Sequence, residues 1–175
     1  FIRHNVPGAM PKPDRLTVGM WLRPVDVHST RTIVAPGNLW HVGMHGSTSV
    51  SAHLFIYPYH YLSIGLEPNR WAHFAATFNG GQVQVYVDGV AAAPRDASRY
   101  KAPLDLSFST INIGGARPGR SDGFIGTLDD LFIANRVMNG AEIRAAMEGR
   151  FAAPTRPTAT TESGVVSEET GNAAQ

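Results

Sequence analysis

Between Leu16 and Asn135 apolar residues recur at every second position, in short runs broken by Gly, Pro, Asn and Asp, and such a pattern fits half-buried strands far better than helices. Leu16, Val18, Met20 and Leu22 form one such face. Trp40, Val42 and Met44 form another, with His41, Gly43 and His45 on the opposite side. The run Val50, Ala52, Leu54, Ile56 passes through Pro58-Tyr59 into Leu62, Ile64 and Leu66, which reads as a hairpin. A second hairpin joins Phe74, Ala76 and Phe78 to Val83, Val85 and Val87 through Asn79-Gly80-Gly81, and Asp88-Gly89 closes a further tight turn. Ile111 and Ile113 make a short strand, and a longer one runs from about Phe124 to Asn135 through Leu131 and Ile133. At least eight strands with no helices between them imply an all-β fold, an antiparallel two-sheet sandwich. The 18 glycines and 12 prolines supply the turns that such a chain needs.

One helix is expected, and it comes last. Asn139 can cap it while Glu142, three residues on, reaches back; Ile143, Ala146 and Met147 make the buried stripe, and Gly149 suits the terminating position. Beyond Phe151 the only large aliphatics are Val165 and Val166, too few to offset the entropy of ordering the segment. The sequence therefore divides into a domain at 1–151 and a disordered tail or linker at 152–175.

Composition narrows the function. Lys plus Arg total 15 and Asp plus Glu 14, and within 1–151 the balance is 14 basic to 11 acidic, so no electrostatic case exists for nucleic acid or an anionic membrane. No apolar run approaches the ~20 residues of a spanning helix, so no membrane insertion is expected. The absence of cysteine excludes disulfides, thiolate chemistry and cysteine-ligated zinc. No P-loop, dinucleotide fingerprint or serine nucleophile elbow is present.

The motifs in order carry a family resemblance. LTVGMWLRP at 16–24, WAHFAATFNG at 71–80, VYVDGV at 85–90, IGG at 113–115 and FIGTLDDLFI at 124–133, followed by Asn135-Arg136 and the capped helix, together resemble laminin-G-like domains of the concanavalin A-like lectin/glucanase superfamily. The resemblance covers 1–150 and implies a jelly-roll sandwich. Such domains usually open with one more strand, so the chain is expected to start inside the domain, with Phe1 to Val6 near an unpaired sheet edge.

The resemblance also brings the question of glycoside hydrolysis, which needs two carboxylates flanking a sugar bond. Residues 1–151 hold three glutamates, Glu67, Glu142 and Glu148, none with a carboxylate partner at strand spacing, and Asp129 and Asp130 are adjacent and would point to opposite faces. A non-enzyme is expected. His41 and His45 share a face but lie roughly 13 Å apart along a strand, so a metal would have to recruit His53, His60 or His73; packing is the simpler reading.

Calcium is the cofactor that the resemblance offers, held in rim loops by carboxylates and carbonyls; Asp122, in its Gly-rich turn, and Asp129, on the face of Leu131 and Ile133, are the candidate ligands. For sugar binding the candidates are Tyr57, Tyr59 and Tyr61 at a hairpin tip, with Arg117 and Arg120 in a Pro-Gly loop. Trp21, Trp40 and Trp71 are assigned to core or edge packing. The expected function is a non-catalytic recognition or adhesion module for carbohydrate or a protein surface, within a larger chain or assembly. Family habit places it extracellular, on a cell surface or in a virion. The alternative is a structural spacer or decoration domain that binds no glycan.

Overall fold

The computed structural model describes residues 2–5, 14–25, 30–36, 40–46, 50–56, 60–93, 95–96, 108–115 and 122–150, with backbone alone for 2–4, 50, 60–62 and 95–96. Its strands are β1 (Ile2–Asn5), β2 (Leu16–Pro24), β3 (Arg31–Ala35), β4 (Trp40–Gly46), β5 (Val50–Ile56), β6 (His60–Leu66), β7 (Ala72–Phe78), β8 (Gln82–Val87), β9 (Val90–Ala91), β10 (Arg95–Asp96), β11 (Thr110–Ile113) and β12 (Gly126–Ala134), followed by helix α1 (Gly140–Met147). They form two sheets. One has the order β1-β11-β3-β4-β5-β6; the other has the order β10-β8-β7-β2-β12, with β9 paired onto β8. Every strand pair is antiparallel.

Alternation becomes layering in the register. Leu16, Val18 and Met20 of β2 pair with Phe78, Ala76 and Phe74 of β7, and across the sandwich Val42, Met44, Ala52, Leu54 and Ile56 meet them in one buried core with Trp40. Burial of each large aliphatic contributes about 1.5–3 kcal/mol, so this shared layer holds the sheets together. The Asp88-Gly89 turn joins Val87 to its partner Val90 with φ +49° and +73° at its two residues, the primed-turn geometry that matches strand twist and that Asp and Gly tolerate. At the other end of the chain, β1 takes the outermost place beside β11, and no described strand lies on its other side.

Strict alternation fails in β12. Asp129 pairs with Trp21 and Phe132 with Gly19, so three steps on β12 match two on β2, and Asp130 takes φ +48° in the bulge. The extra residue shifts the phase: Leu128, Leu131 and Ile133 all pack on the core while Asp129 is exposed. Asp129 thus lies on the outer face, and not on the face of Leu131 and Ile133 that uninterrupted alternation assigns to it.

Helix α1 covers the outer face of the β2-containing sheet. Asn139 Oδ1 accepts the N–H groups of Ala141 and Glu142, and the Glu142 carboxylate accepts the Asn139 N–H at 2.8 Å, completing the capping box. That N–H bond, more than the Arg136 guanidinium beside it, holds the Glu142 carboxyl below its usual range. Ile143 and Ala146 are buried against Ala75, Met138 and Phe132. Docking is fixed by Thr17, whose hydroxyl donates to the Arg136 carbonyl at 2.6 Å and accepts the Met138 N–H at 2.9 Å, and by the Trp21 indole N–H, 3.3 Å from the Met147 carbonyl.

Candidate functional site

The most chemically loaded face of the described residues lies outside the β4–β5 pair. Gly43 opposes His53 in the register, with His41 and His45 one pleat to either side, so the three imidazoles converge although His41 and His45 are distant from each other along the strand. His53 sits between them, edge-on to His41 at 5.7 Å and stacked on His45 at 4.8 Å between ring centroids, and His41 stacks on Phe55 at 4.9 Å. Gly43 is the floor of the cluster, since a Cβ there would lie 2.6 Å from His53 Nε2. Thr30 Oγ1 meets His45 Nδ1 at 2.9 Å. The rings pack on one another by face and by edge, and among the described residues no group of three or more His, Asp or Glu is placed to hold one metal ion.

His73 belongs to the other sheet. It is 1% exposed, with its ring 5.4 Å from Trp21 and 6.3 Å from Phe132, and its Nδ1 has no hydrogen-bond partner. Burial lowers this imidazole to about 4, against a smaller upward pull from Asp88. It is a neutral packing group.

The sequence candidates are dispersed. Tyr57, Tyr59, Arg117 and Arg120 lie outside the described residues, as does the side chain of Tyr61, whose backbone pairs with Phe55 in β6. Asp122 is half-buried beside β3, where its carbonyl accepts the Thr32 N–H at 2.6 Å. Asp129, on the outer face of the other sheet, accepts the Asp130 N–H at 2.9 Å, a local bond within the bulge. Calcium wants six to eight oxygens. These two carboxylates sit on different layers, and the described residues assemble no such shell around either.

A cleft at the rim was not anticipated. Gly65, Leu66, Glu67, Arg70, Trp71, Ala72, Val87 and Asp88 enclose about 340 Å³ where the end of β6 meets the start of β7 and the β8–β9 turn. Trp40 does join the core, but Trp71 is 40% exposed, its ring under the Arg23 guanidinium at 5.8 Å. Its sequence signal was the polar Glu67-Pro68-Asn69-Arg70 turn just before it, which places the indole at a strand end rather than in a strand interior. Glu67 and Arg70 form an exposed ion pair at 2.8 Å, and Glu67 is the main cause of the raised Arg70 guanidinium. Asp88 Oδ1 accepts the His73 N–H at 2.8 Å.

Glu67 therefore has a carboxylate neighbour in the cleft, which its sequence position did not show. The surroundings differ from those of a glycosidase acid, which is kept protonated by apolar burial. Glu142 pairs with Arg136 at 2.5 Å and Glu148 with Arg150, so each glutamate of 1–151 is engaged by an arginine.

A closed apolar core between two antiparallel sheets, with polar and aromatic groups gathered at a rim cleft, defines a lectin-like β-sandwich. The chain belongs to the concanavalin A-like lectin/glucanases superfamily, whose laminin G model matches residues 3–144. Solved structures share the fold at low identity. A heptameric SAP-like pentraxin from Limulus polyphemus aligns with TM-score 0.65 and 18% identity over 79% of this chain and 72% of its own. The botulinum neurotoxin serotype D ligand binding domain in complex with N-acetylneuraminic acid aligns with TM-score 0.62 and 16% identity, over 85% of this chain and 39% of its own. A Bacteroides ovatus protein described as a candidate carbohydrate binder aligns with TM-score 0.60 and 15% identity, over 75% of this chain and 40% of its own. No curated protein matches the sequence. No helix among the described residues is long and apolar enough to cross a membrane.

Proposed function

We propose that this domain is a non-catalytic recognition module that binds carbohydrate at the rim of its sandwich. The observation that carries this reading is the state of its glutamates: Glu67, Glu142 and Glu148 are each tied to an arginine at the surface. A binding module needs only a shaped surface, whereas hydrolysis needs two carboxylates held in different protonation states. Structural relatives that engage N-acetylneuraminic acid or are described as carbohydrate binders support the same direction. Family habit makes an extracellular or surface setting part of this reading.

The test is a glycan array probed with the full chain, with and without Ca²⁺, alongside a panel of glucans and galactans assayed for hydrolysis. Binding without turnover is the expected result. Turnover that is lost in Glu67→Gln would make the domain a glycosidase. Asp122 and Asp129 are the carboxylates offered for calcium. Titration of chelator-treated protein with neither heat nor a rise in Tm removes the cation from the reading.

The outermost position of β1 favours one second reading, a structural module that associates through its sheet edge. A blank array together with a stable oligomer in solution selects it.

A further inference from the structure

We propose that the rim cleft at Trp71 is the saccharide subsite of this domain and that it takes a neutral hexopyranose; the proposal rests on the recognition reading above and assigns it a place and a ligand class. The argument begins with shape. A volume of about 340 Å³ lies at the lower end of the ~300–1,000 Å³ of small-ligand pockets, which suits one sugar ring better than an extended chain. Leu66, Val87 and Trp71 supply apolar wall, while Glu67, Arg70 and Asp88 supply the polar groups.

That division matches the two faces of a pyranose. The C–H face packs on an aromatic ring, and equatorial hydroxyls donate to carboxylate oxygens and accept from a guanidinium. The Glu67 and Asp88 carboxylates stand against the Arg70 guanidinium in the lining and the Arg23 guanidinium over the Trp71 ring, so the charges balance and an acidic sugar finds no excess of cation to hold it.

The cleft is also held in place before any ligand arrives. Arg23 lies over the Trp71 ring, the Asn69 N–H donates to the Pro24 carbonyl at 2.7 Å beneath the Glu67–Arg70 turn, and the Asp88 carboxylate is fixed by the His73 N–H. Groups that are already ordered lose little entropy on binding.

The experiment titrates the full chain, by calorimetry and tryptophan fluorescence, with neutral gluco-, galacto- and manno-oligosaccharides and with their sialylated counterparts. The expected result is saturable binding of a neutral saccharide that Trp71→Ala weakens at least about tenfold, the loss expected when an aromatic stacking partner is removed. Trp71→Phe, which restores a ring face, should recover most of it. Glu67→Gln and Arg70→Gln change exposed side chains and keep the question open should Trp71→Ala unfold; each should weaken binding at unchanged Tm. If the parent chain binds a saccharide and Trp71→Ala, Glu67→Gln and Arg70→Gln bind it equally well, the cleft assignment falls while the recognition reading stands. Binding confined to sialylated ligands overturns the neutral-sugar assignment. If no saccharide binds the parent chain, the recognition reading falls and takes this proposal with it.

Discussion

The two outer faces of the sandwich solve one packing problem with different chemistry. On each, a glycine in a central strand makes room for a ring from a neighbouring strand: Phe132 lies over Gly19, and His53 lies over Gly43. Phe132 then joins Ala75, Met138, Ile143 and Ala146 under helix α1 and becomes part of a second, apolar core. His53 instead joins His41 and His45 in a cluster of imidazoles, edge-on to the first and stacked on the second. One face thus adds stability through apolar burial beneath a helix, and the other gathers imidazoles, of which His41 and His53 are buried and His45 is exposed, although the backbone device is the same. A glycine beneath a ring therefore says that something packs there and leaves open whether the neighbourhood is structural or chemical.

Acid should separate the faces most strongly. Unfolded His73 takes up a proton below its ordinary value near 6.5, whereas the buried imidazole refuses it until about 4. The unfolded state therefore binds more protons within that window, and stability falls as pH drops from 6.5 to 4, by on the order of 3 kcal/mol from this group. Denaturant melts of the parent and His73→Leu across this range should differ in slope. Equal slopes would mean that the helix-covered face is wetter than its geometry indicates.

Smaller effects are expected from the glycines themselves. In Gly19→Ala the new methyl collides with a Phe132 ring that is confined by its packing against the helix, and a loss of about 2–3 kcal/mol is expected. In Gly43→Ala it meets Nε2 of the buried His53 at 2.6 Å and the Arg31 carbonyl at 3.1 Å, a slightly looser fit than the 2.4 Å approach at Gly19, and a loss of about 1–2 kcal/mol is expected. Chemical denaturation measures both, and equal losses would erase the distinction between the faces. The smallest effect concerns the cover: Asn139→Ala removes a carboxamide oxygen that accepts two helix N–H groups, and should cost about 1 kcal/mol. Hydrogen exchange should locate that loss at α1 and leave the β4–β5 amides protected.

Much of the architecture was legible in the residues. The faces of β2, β4, β5, β7 and β8, the Asp88-Gly89 turn and the Asn139–Glu142 cap all follow from local patterns, because period-two burial and helix capping are read over a few neighbouring positions. The β12 bulge was not legible. Nothing local in Gly-Thr-Leu-Asp-Asp-Leu-Phe announces an extra residue, and only the register against Trp21 and Gly19 exposes it. Asp129 changed face for that reason.

The candidate site divides along the same line. Local alternation determined that His41 and His45 share an outer face and that the chain would close an apolar sandwich, because those properties depend on side-chain direction along a single strand. Tertiary structure alone decided that His53 would stand between those histidines, and that Trp71, Glu67 and Arg70 would meet Asp88 across a cleft, although Arg70 and Asp88 are far apart in sequence. Such juxtapositions are set by the pairing of strands, which depends on the whole packed core, and a single segment carries no record of its neighbours.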